Sequence, residues 1–490
     1  MKRDGILILS YGGAQAQSLA RRVRGGRVYC EIMPADAPLD DIRAFHPLGV
    51  MLAGEAEDGV EDDAPLCDPG VYALGVPVLA VGFAARRMAA QLGGGVCHVA
   101  LERQTLQTHF SQASPLFKGL SYGDRYVARL AHLELPEGFK VIAHGHGLAA
   151  AFADEERRLY GMQFGVESND PDGLAILSNF EDVCGCARDW TTENFVEEIV
   201  SEIRERVGAG HALMAISGGV DSSVCAALMH RAIGKQMHCI YIDTGLMRKG
   251  DTRVVREMFG ERMGIDVHCV NARDRFFARL EHITDPAEKW AAVSDEFSII
   301  YREEAARFTG VDFLVKGTIY PDVLNFSDRT QNLNELEGYA LIEPARCLFK
   351  NEVRDVGEYL DLPPEITNRQ PLPGSGLAMR MTGEVTQEKL TLLREADYIL
   401  RTEIEQASLE RRVRRYCAQL TETTSTGEEK CRYVVALRAL TTAGTAEAAY
   451  RMPYDVLERV TDRILTELPL ADRVVYDLTP HPPRGEEWEG

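Results

Sequence analysis

The sequence predicts an α/β protein built in three parts, and three observations carry that expectation. Short apolar runs alternate with helical segments over residues 1–188. A strand–loop–helix unit recurs over 189–375 around a glycine–serine loop. Residues 376–490 change to a mixed α+β pattern. A chain of 490 residues has room for two to four domains.

In chain order, Gly5–Leu9, Leu48–Leu52, Val76–Val81, Val141–Ala143 and Tyr160–Phe164 read as the strands of the first part. A break follows at Asp182–Trp190, and Glu193–Val207 reads as an amphipathic helix. Further strands are expected at Ala212–Ile216, Cys239–Asp243, Val267–Val270 and Phe313–Lys316, forming a doubly wound parallel sheet. Ligands of such sheets sit at the carboxyl ends of the strands. The loop Pro371-Leu372-Pro373-Gly374-Ser375-Gly376 marks the next boundary. The tail reads as a helix Glu388–Ala407, a strand Arg432–Leu440, a helix Tyr454–Leu468 and a strand Arg473–Leu478. The basic cluster Arg411-Arg412-Val413-Arg414-Arg415 reads as one helix face pairing with carboxylates at a dimer contact, and polar Thr421–Glu429 as a hairpin tip.

Between the strand at Ala212–Ile216 and the helical run Val224–His230 stands Ser217-Gly218-Gly219-Val220-Asp221-Ser222-Ser223. A glycine pair there lets the backbone turn sharply and aims several N–H donors at one point. With the helix dipole and the serine hydroxyls, those donors suit phosphate oxygens. Asp221 reads either as a Mg²⁺ ligand or as a helix-capping acid. No Gly-Lys-Ser/Thr follows, which excludes the Walker pattern. The run is similar to the pyrophosphate loop of enzymes that cleave ATP to AMP and pyrophosphate.

The net charge of −21 argues against a nucleic-acid-coating surface, while small nucleotides need only a local positive site. No run approaches membrane-spanning length, and Ile6–Leu9 suits a first strand better than a signal peptide. Eleven cysteines lack paired metal spacing, and Cys184 and Cys186 are one residue apart. They read as reduced thiols of a cytoplasmic protein.

Several segments occur in a fixed order: Leu9–Tyr29 containing Ala20-Arg21-Arg22-Val23-Arg24, Gly75–Leu79, Gln91–Gly94, the glycine–serine loop, Gly317–Asp322, Leu348–Arg354, Arg438-Ala439 and Val474–Asp477. Together they resemble the GMP synthetases along nearly the whole chain. The resemblance implies a class I glutamine amidotransferase-like domain at 1–188, an ATP pyrophosphatase domain at 189–375 and a small α+β dimerisation domain at 376–490. It implies ATP with Mg²⁺, and adenylation then amination of xanthosine monophosphate (XMP). A homodimer is implied too. Ser217, Gly218, Gly219, Val220, Asp221, Ser222 and Ser223 would hold ATP, with Asp221 also the metal ligand. Asp243 would lie near the adenosine, or be a plain turn residue. Asp221, Ser222 and Lys316 are the catalytic candidates; Lys316, where the family usually has Gln, can meet phosphate or snorkel to solvent. Arg380, Arg438 and His481 are candidates for the acceptor phosphate and Glu487 for its ribose or base, each with a surface ion pair as the plain alternative.

The departures from the family pattern fall on functional positions. The nucleophilic cysteine of the amidotransferase elbow is here Gly82, and the histidine of the Gln-Phe-His-Pro-Glu run is Gly165. A glycine cannot form the glutamyl thioester, and Glu167 has no imidazole to orient. The Gly-Gly-Pro oxyanion loop reads Gly54-Glu55-Ala56, and an acid there opposes a developing oxyanion. Cys67 and Cys97 lie off the elbow and read as small hydrophobes. The family's Lys-Ser-His-His-Asn segment has no counterpart in the shorter Asn325–Gly338, and the C-terminal signature lysine is His481. The expectation is therefore a ligase that uses ammonia, without glutaminase activity. The alternatives are a related adenylating ligase with another acceptor or amine, and a non-catalytic nucleotide-binding regulator.

Overall fold

The computed structural model describes residues 3–54, 66–166, 171–324, 339–410, 412–424, 433–443 and 446–479. Two compact units divide the chain, Met1–Phe195 and Val196–Gly490.

The first unit is a nine-stranded mixed sheet. Its strands are β1 (Ile6–Ser10), β2 (Cys30–Pro34), β3 (Gly49–Ala53), β4 (Val78–Val81), β5 (Gly95–Phe110), β6 (Tyr122–Glu134), β7 (Lys140–Gly145), β8 (Leu148–Asp154) and β9 (Leu159–Met162). They lie in the order β2-β1-β3-β4-β9-β8-β7-β5-β6. The half from β2 to β9 is parallel, as the short continuous apolar runs predict, since both faces are covered. One face packs Leu7, Leu9, Val50, Leu52, Val78 and Ala80 into a buried cluster with Phe83 and Met88 of the helix Phe83–Gln91. The long β5–β6 hairpin is absent from the sequence reading. Its strands interleave His, Gln, Arg and Glu with apolar residues and form no apolar run longer than three.

The second unit opens with a five-stranded parallel sheet of β10 (His211–Ala215), β11 (Met237–Asp243), β12 (Asp266–Asn271), β13 (Val311–Val315) and β14 (Ala340–Ile342), in the order β12-β11-β10-β13-β14. The doubly wound expectation is met. Downstream, β15 (Arg415–Thr424), β16 (Tyr433–Ala443), β17 (Ala446–Ala449) and β18 (Ala471–Asp477) form a second sheet, antiparallel except where β18 runs parallel to β16. The helices Gln387–Gln406 and Tyr454–Glu467 pack on it. One buried cluster runs from Ile240 and Leu314 through Leu390 and Leu400 to Leu437 and Val460.

One expectation needs correction here. The basic cluster is not a helix face. The helix stops at Gln406, Ser408 takes a left-handed φ of 53°, and Arg415 already belongs to β15. Arg411 lies outside the described residues, as do most of the expected hairpin tip and all of Asn325–Gly338.

Candidate active site

The glycine–serine loop leaves the carboxyl end of β10 and enters the helix Val220–Ile233. Gly218 takes φ +74°, which side chains rarely adopt, and a Cβ there would meet Val255 Cγ2 at 2.7 Å. Both constraints demand glycine. The hydroxyls of the loop divide their work. Ser217 Oγ lies 3.0 Å from Ser222 Oγ and accepts from Gly219 N at 3.3 Å, while the largely buried Ser222 also donates its hydroxyl to Gly219 O at 3.0 Å. Ser223 is fully buried, and its hydroxyl donates to Gly219 O at 2.8 Å. Its side chain therefore fixes the turn from behind and does not face a phosphate, contrary to the expectation for it.

Asp221 follows at the second position of the helix. Its Oδ2 accepts from Lys350 Nζ at 2.6 Å, while its Oδ1 is buried with no hydrogen-bond partner. Lys350 opens the helix Lys350–Tyr359, where Glu352 Oε2 caps the chain by accepting from Phe349 N at 2.7 Å. A lysine at a helix N-terminus opposes the helix dipole, so its placement needs another reason. That misfit was legible in the run Leu348–Arg354, although the lysine was not singled out. Arg369 was also missed. Its guanidinium donates to Gly218 O and to Asp251 Oδ2, which ties the loop to the start of the helix Asp251–Val255.

A cavity of about 230 Å³ opens on the loop. Ser217, Gly219 and Asp221 form one side, Lys350 and Arg369 add positive charge, and Tyr241, Ile242 and Phe297 give an apolar side. Asp243, at the end of β11, is not part of that lining. Its carboxylate takes two hydrogen bonds from Arg273, at 2.8 and 3.2 Å, and one from Gly245 N at 3.0 Å. Those bonds hold the Arg273 guanidinium above its usual range. The turn-residue reading thus describes its side chain, while its neighbours Ile242 and Thr244 line the cavity. Lys316 directly follows β13, with its backbone N bonded to Ile342 O, and is half-buried but outside the lining of this cavity.

Arg380 and Arg438, 58 positions apart, are brought together on a second cavity of about 280 Å³. Arg415, the last residue of the basic cluster, joins them. Both cavities share the segment Gln370–Pro373. That segment is gripped by arginines: Arg248 donates to Gln370 O and Pro371 O at 2.7 Å each, and Arg380 donates to Pro371 O at 3.1 Å. Burial pushes the Arg248 guanidinium down to about 10, against the pull of Asp397. His481 and Glu487 lie outside the described residues.

In the first unit, Gly82 forms a sharp elbow between β4 and the helix Phe83–Gln91, with φ 61° and ψ −118°. Its N–H donates to Met162 O at 2.7 Å. Gly165 lies just past β9, between the buried Phe164 and Val166, and Glu167 lies outside the described residues. Cys67 is buried against Tyr72 OH at 3.3 Å.

Among the described residues no group of His, Cys, Asp or Glu is large enough to hold a metal by itself. A single carboxylate with a free oxygen still suits Mg²⁺ when phosphates complete its shell.

A parallel sheet with a glycine–serine loop opening on a cavity edged by Lys350 and Arg369, following a unit with a class I amidotransferase architecture, defines the class: a two-part amidotransferase–ATP pyrophosphatase ligase. Residues 7–182 match class I glutamine amidotransferases, 191–295 match NAD synthase, and 402–488 match the GMP synthase C terminal domain. Proteins called GMP synthase [glutamine-hydrolyzing] from Acetivibrio thermocellus and Caldicellulosiruptor saccharolyticus are each 41% identical to this chain over the whole of both chains. That from Geobacillus kaustophilus is 40% identical over the same extent. The chain belongs to the GMP synthase family.

Proposed function

We propose that this chain aminates XMP to GMP with ATP, and that its nitrogen comes from ammonia rather than glutamine. The XMP C2 oxygen attacks the α-phosphorus of ATP and pyrophosphate leaves. Ammonia then adds at C2, AMP departs, and a proton is lost to solvent. The loop N–H groups with Ser217 hold the departing pyrophosphate, Ser222 supports Ser217 through their 3.0 Å hydroxyl contact, and Lys350 adds positive charge beside it. Lys316 follows β13 outside the lining of that cavity, so its part in holding the same phosphates requires its side chain to extend toward them. Mg²⁺ would sit on Asp221, through the oxygen that Lys350 does not occupy. There it would neutralise charge developing on the leaving group. Arg380 and Arg438 take the XMP phosphate, with His481 and Glu487 completing the acceptor site. The active form is a cytoplasmic homodimer.

Gly82 carries the ammonia reading. The elbow is present in full, but its apex has no atom that can attack a carboxamide. The test is pyrophosphate release with Mg-ATP and XMP, given ammonium in one tube and glutamine in another. Release with ammonium alone, with GMP as product, supports the reading, and turnover on glutamine alone rejects it. The exchange of the signature lysine for His481 favours one other reading, a related ligase with another acceptor, and product identity separates the two.

A further inference from the structure

We propose that Gln15 closes the amidotransferase unit to free glutamine by placing its own carboxamide in the crevice that the substrate would use. This rests on the ammonia reading above and supplies a reason why the unit would bind the donor only weakly.

Gln15 opens the helix Gln15–Gly25, which follows β1, and it is buried. Its Oε1 accepts from Gly54 N at 2.8 Å, just past the end of β3. Its Nε2 lies 3.5 Å from the place a Cβ on Gly82 would occupy, just past the end of β4. Strands β1, β3 and β4 are adjacent and parallel, so all three carboxyl ends open on one crevice, where ligands of such sheets bind. The oxygen of a primary carboxamide therefore sits on a backbone donor while its nitrogen faces the apex of the elbow. A glutamine side chain attacked from that elbow would use the same donor but turn its carbonyl carbon to the apex, so Gln15 takes the donor and the space without copying the reactive pose. The functional group is the same, and here the chain supplies it.

The tether decides the competition. A group held by its own helix acts at an effective concentration of about 1 mM or more, so free glutamine must displace a permanent rival. Two features combine: Gly82 removes the nucleophile, and the Gln15 amide lies over the vacant apex, within van der Waals reach of where a Cβ would stand.

Calorimetric titration of L-glutamine into the full-length protein tests this. Wild type is expected to bind weakly, in competition with its own side chain. Gln15→Ala, with its fold checked by circular dichroism, is expected to bind at least tenfold more tightly than wild type. Gln15→Met keeps the crevice filled and should stay closed. Gln15→Ser replaces the alanine variant should that one fail to fold. Equal binding by wild type and Gln15→Ala overturns the proposal, as does no binding by either, or opening by the methionine variant. Ammonia release from glutamine by wild type would instead overturn the nitrogen-source reading, so the two failures are distinct.

Discussion

Lys350 Nζ and Asp221 Oδ2 stand 2.6 Å apart, and each residue lies in the first turn of its own helix. Two helix N-termini thus converge beside the glycine–serine loop, and their dipoles add to the lysine charge. Asp221 offsets part of that charge and keeps one oxygen free for a cation. Lys350→Met should lower pyrophosphate release by about 100-fold or more, the scale of losing one positioned electrostatic group. Asp221→Asn should lose a similar factor and shift the Mg²⁺ dependence to higher concentration. Initial rates over an Mg²⁺ series check both, and an unshifted midpoint in the asparagine variant would remove Asp221 from the metal site.

Arg380 and Arg438 line a cavity distinct from the loop cavity. If they hold the acceptor phosphate, Arg438→Gln should raise the XMP KM by roughly 10- to 100-fold, the range of a charged hydrogen bond. The ATP KM should hardly move. Equal changes in both would mean that the substitution disturbs the unit at large.

The loop was legible in sequence because its chemistry is local: a strand, two glycines, serines and a helix follow one another within a dozen residues. The central parallel strands were legible for the same reason, as short apolar runs buried on both faces, whereas the edge strands β2 and β14, only partly buried, were not read as strands. Arg369 was not legible, because it meets Gly218 from 151 positions away and nothing in its own surroundings says so. Ser223 and Asp243 belong to the expected motifs, yet the first is turned behind the loop and the second is held by Arg273. A motif specifies which residues are near the site but not which way each side chain faces. The β5–β6 hairpin escaped notice because its alternation is broken by polar residues on both faces.

Glu181 gives the first unit a pH signature. Burial raises its carboxyl to about 7, more than Arg188, at 3.3 Å, can offset. A Cβ on Gly26 would come within 2.7 Å of its Oε1, so the group is tightly enclosed. A folded pKa raised above the unfolded one means that the folded state holds the proton longer. Stability is then full below about 4.5 and falls as pH rises through about 7, by up to about 3 kcal/mol. Melting temperatures should decline from pH 5 to pH 8, and Glu181→Gln should flatten that decline. A parallel decline in the variant would assign the slope to other groups.

Asp397 is fully buried and faces three arginines: Arg401 Nε at 2.9 Å, Arg248 Nε at 3.5 Å and Arg380 Nη1 at 3.6 Å. Two of these grip the backbone of Gln370 and Pro371, on the segment that both cavities share. Asp397 therefore acts at one remove, as the anion that lets the buried Arg248 and Arg380 sit together behind that segment, with the partly exposed Arg401 as its third partner. Asp397→Asn keeps the shape and removes the charge, at a cost of about 3–5 kcal/mol for an uncompensated buried cluster. The specific expectation is kinetic. Because the displaced segment borders both cavities, KM should rise for ATP and for XMP together, whereas Arg438→Gln moves only the second. Asp397→Glu should recover part of both. A lower melting temperature with both KM values unchanged would reduce Asp397 to a stability residue and sever this link between the cavities.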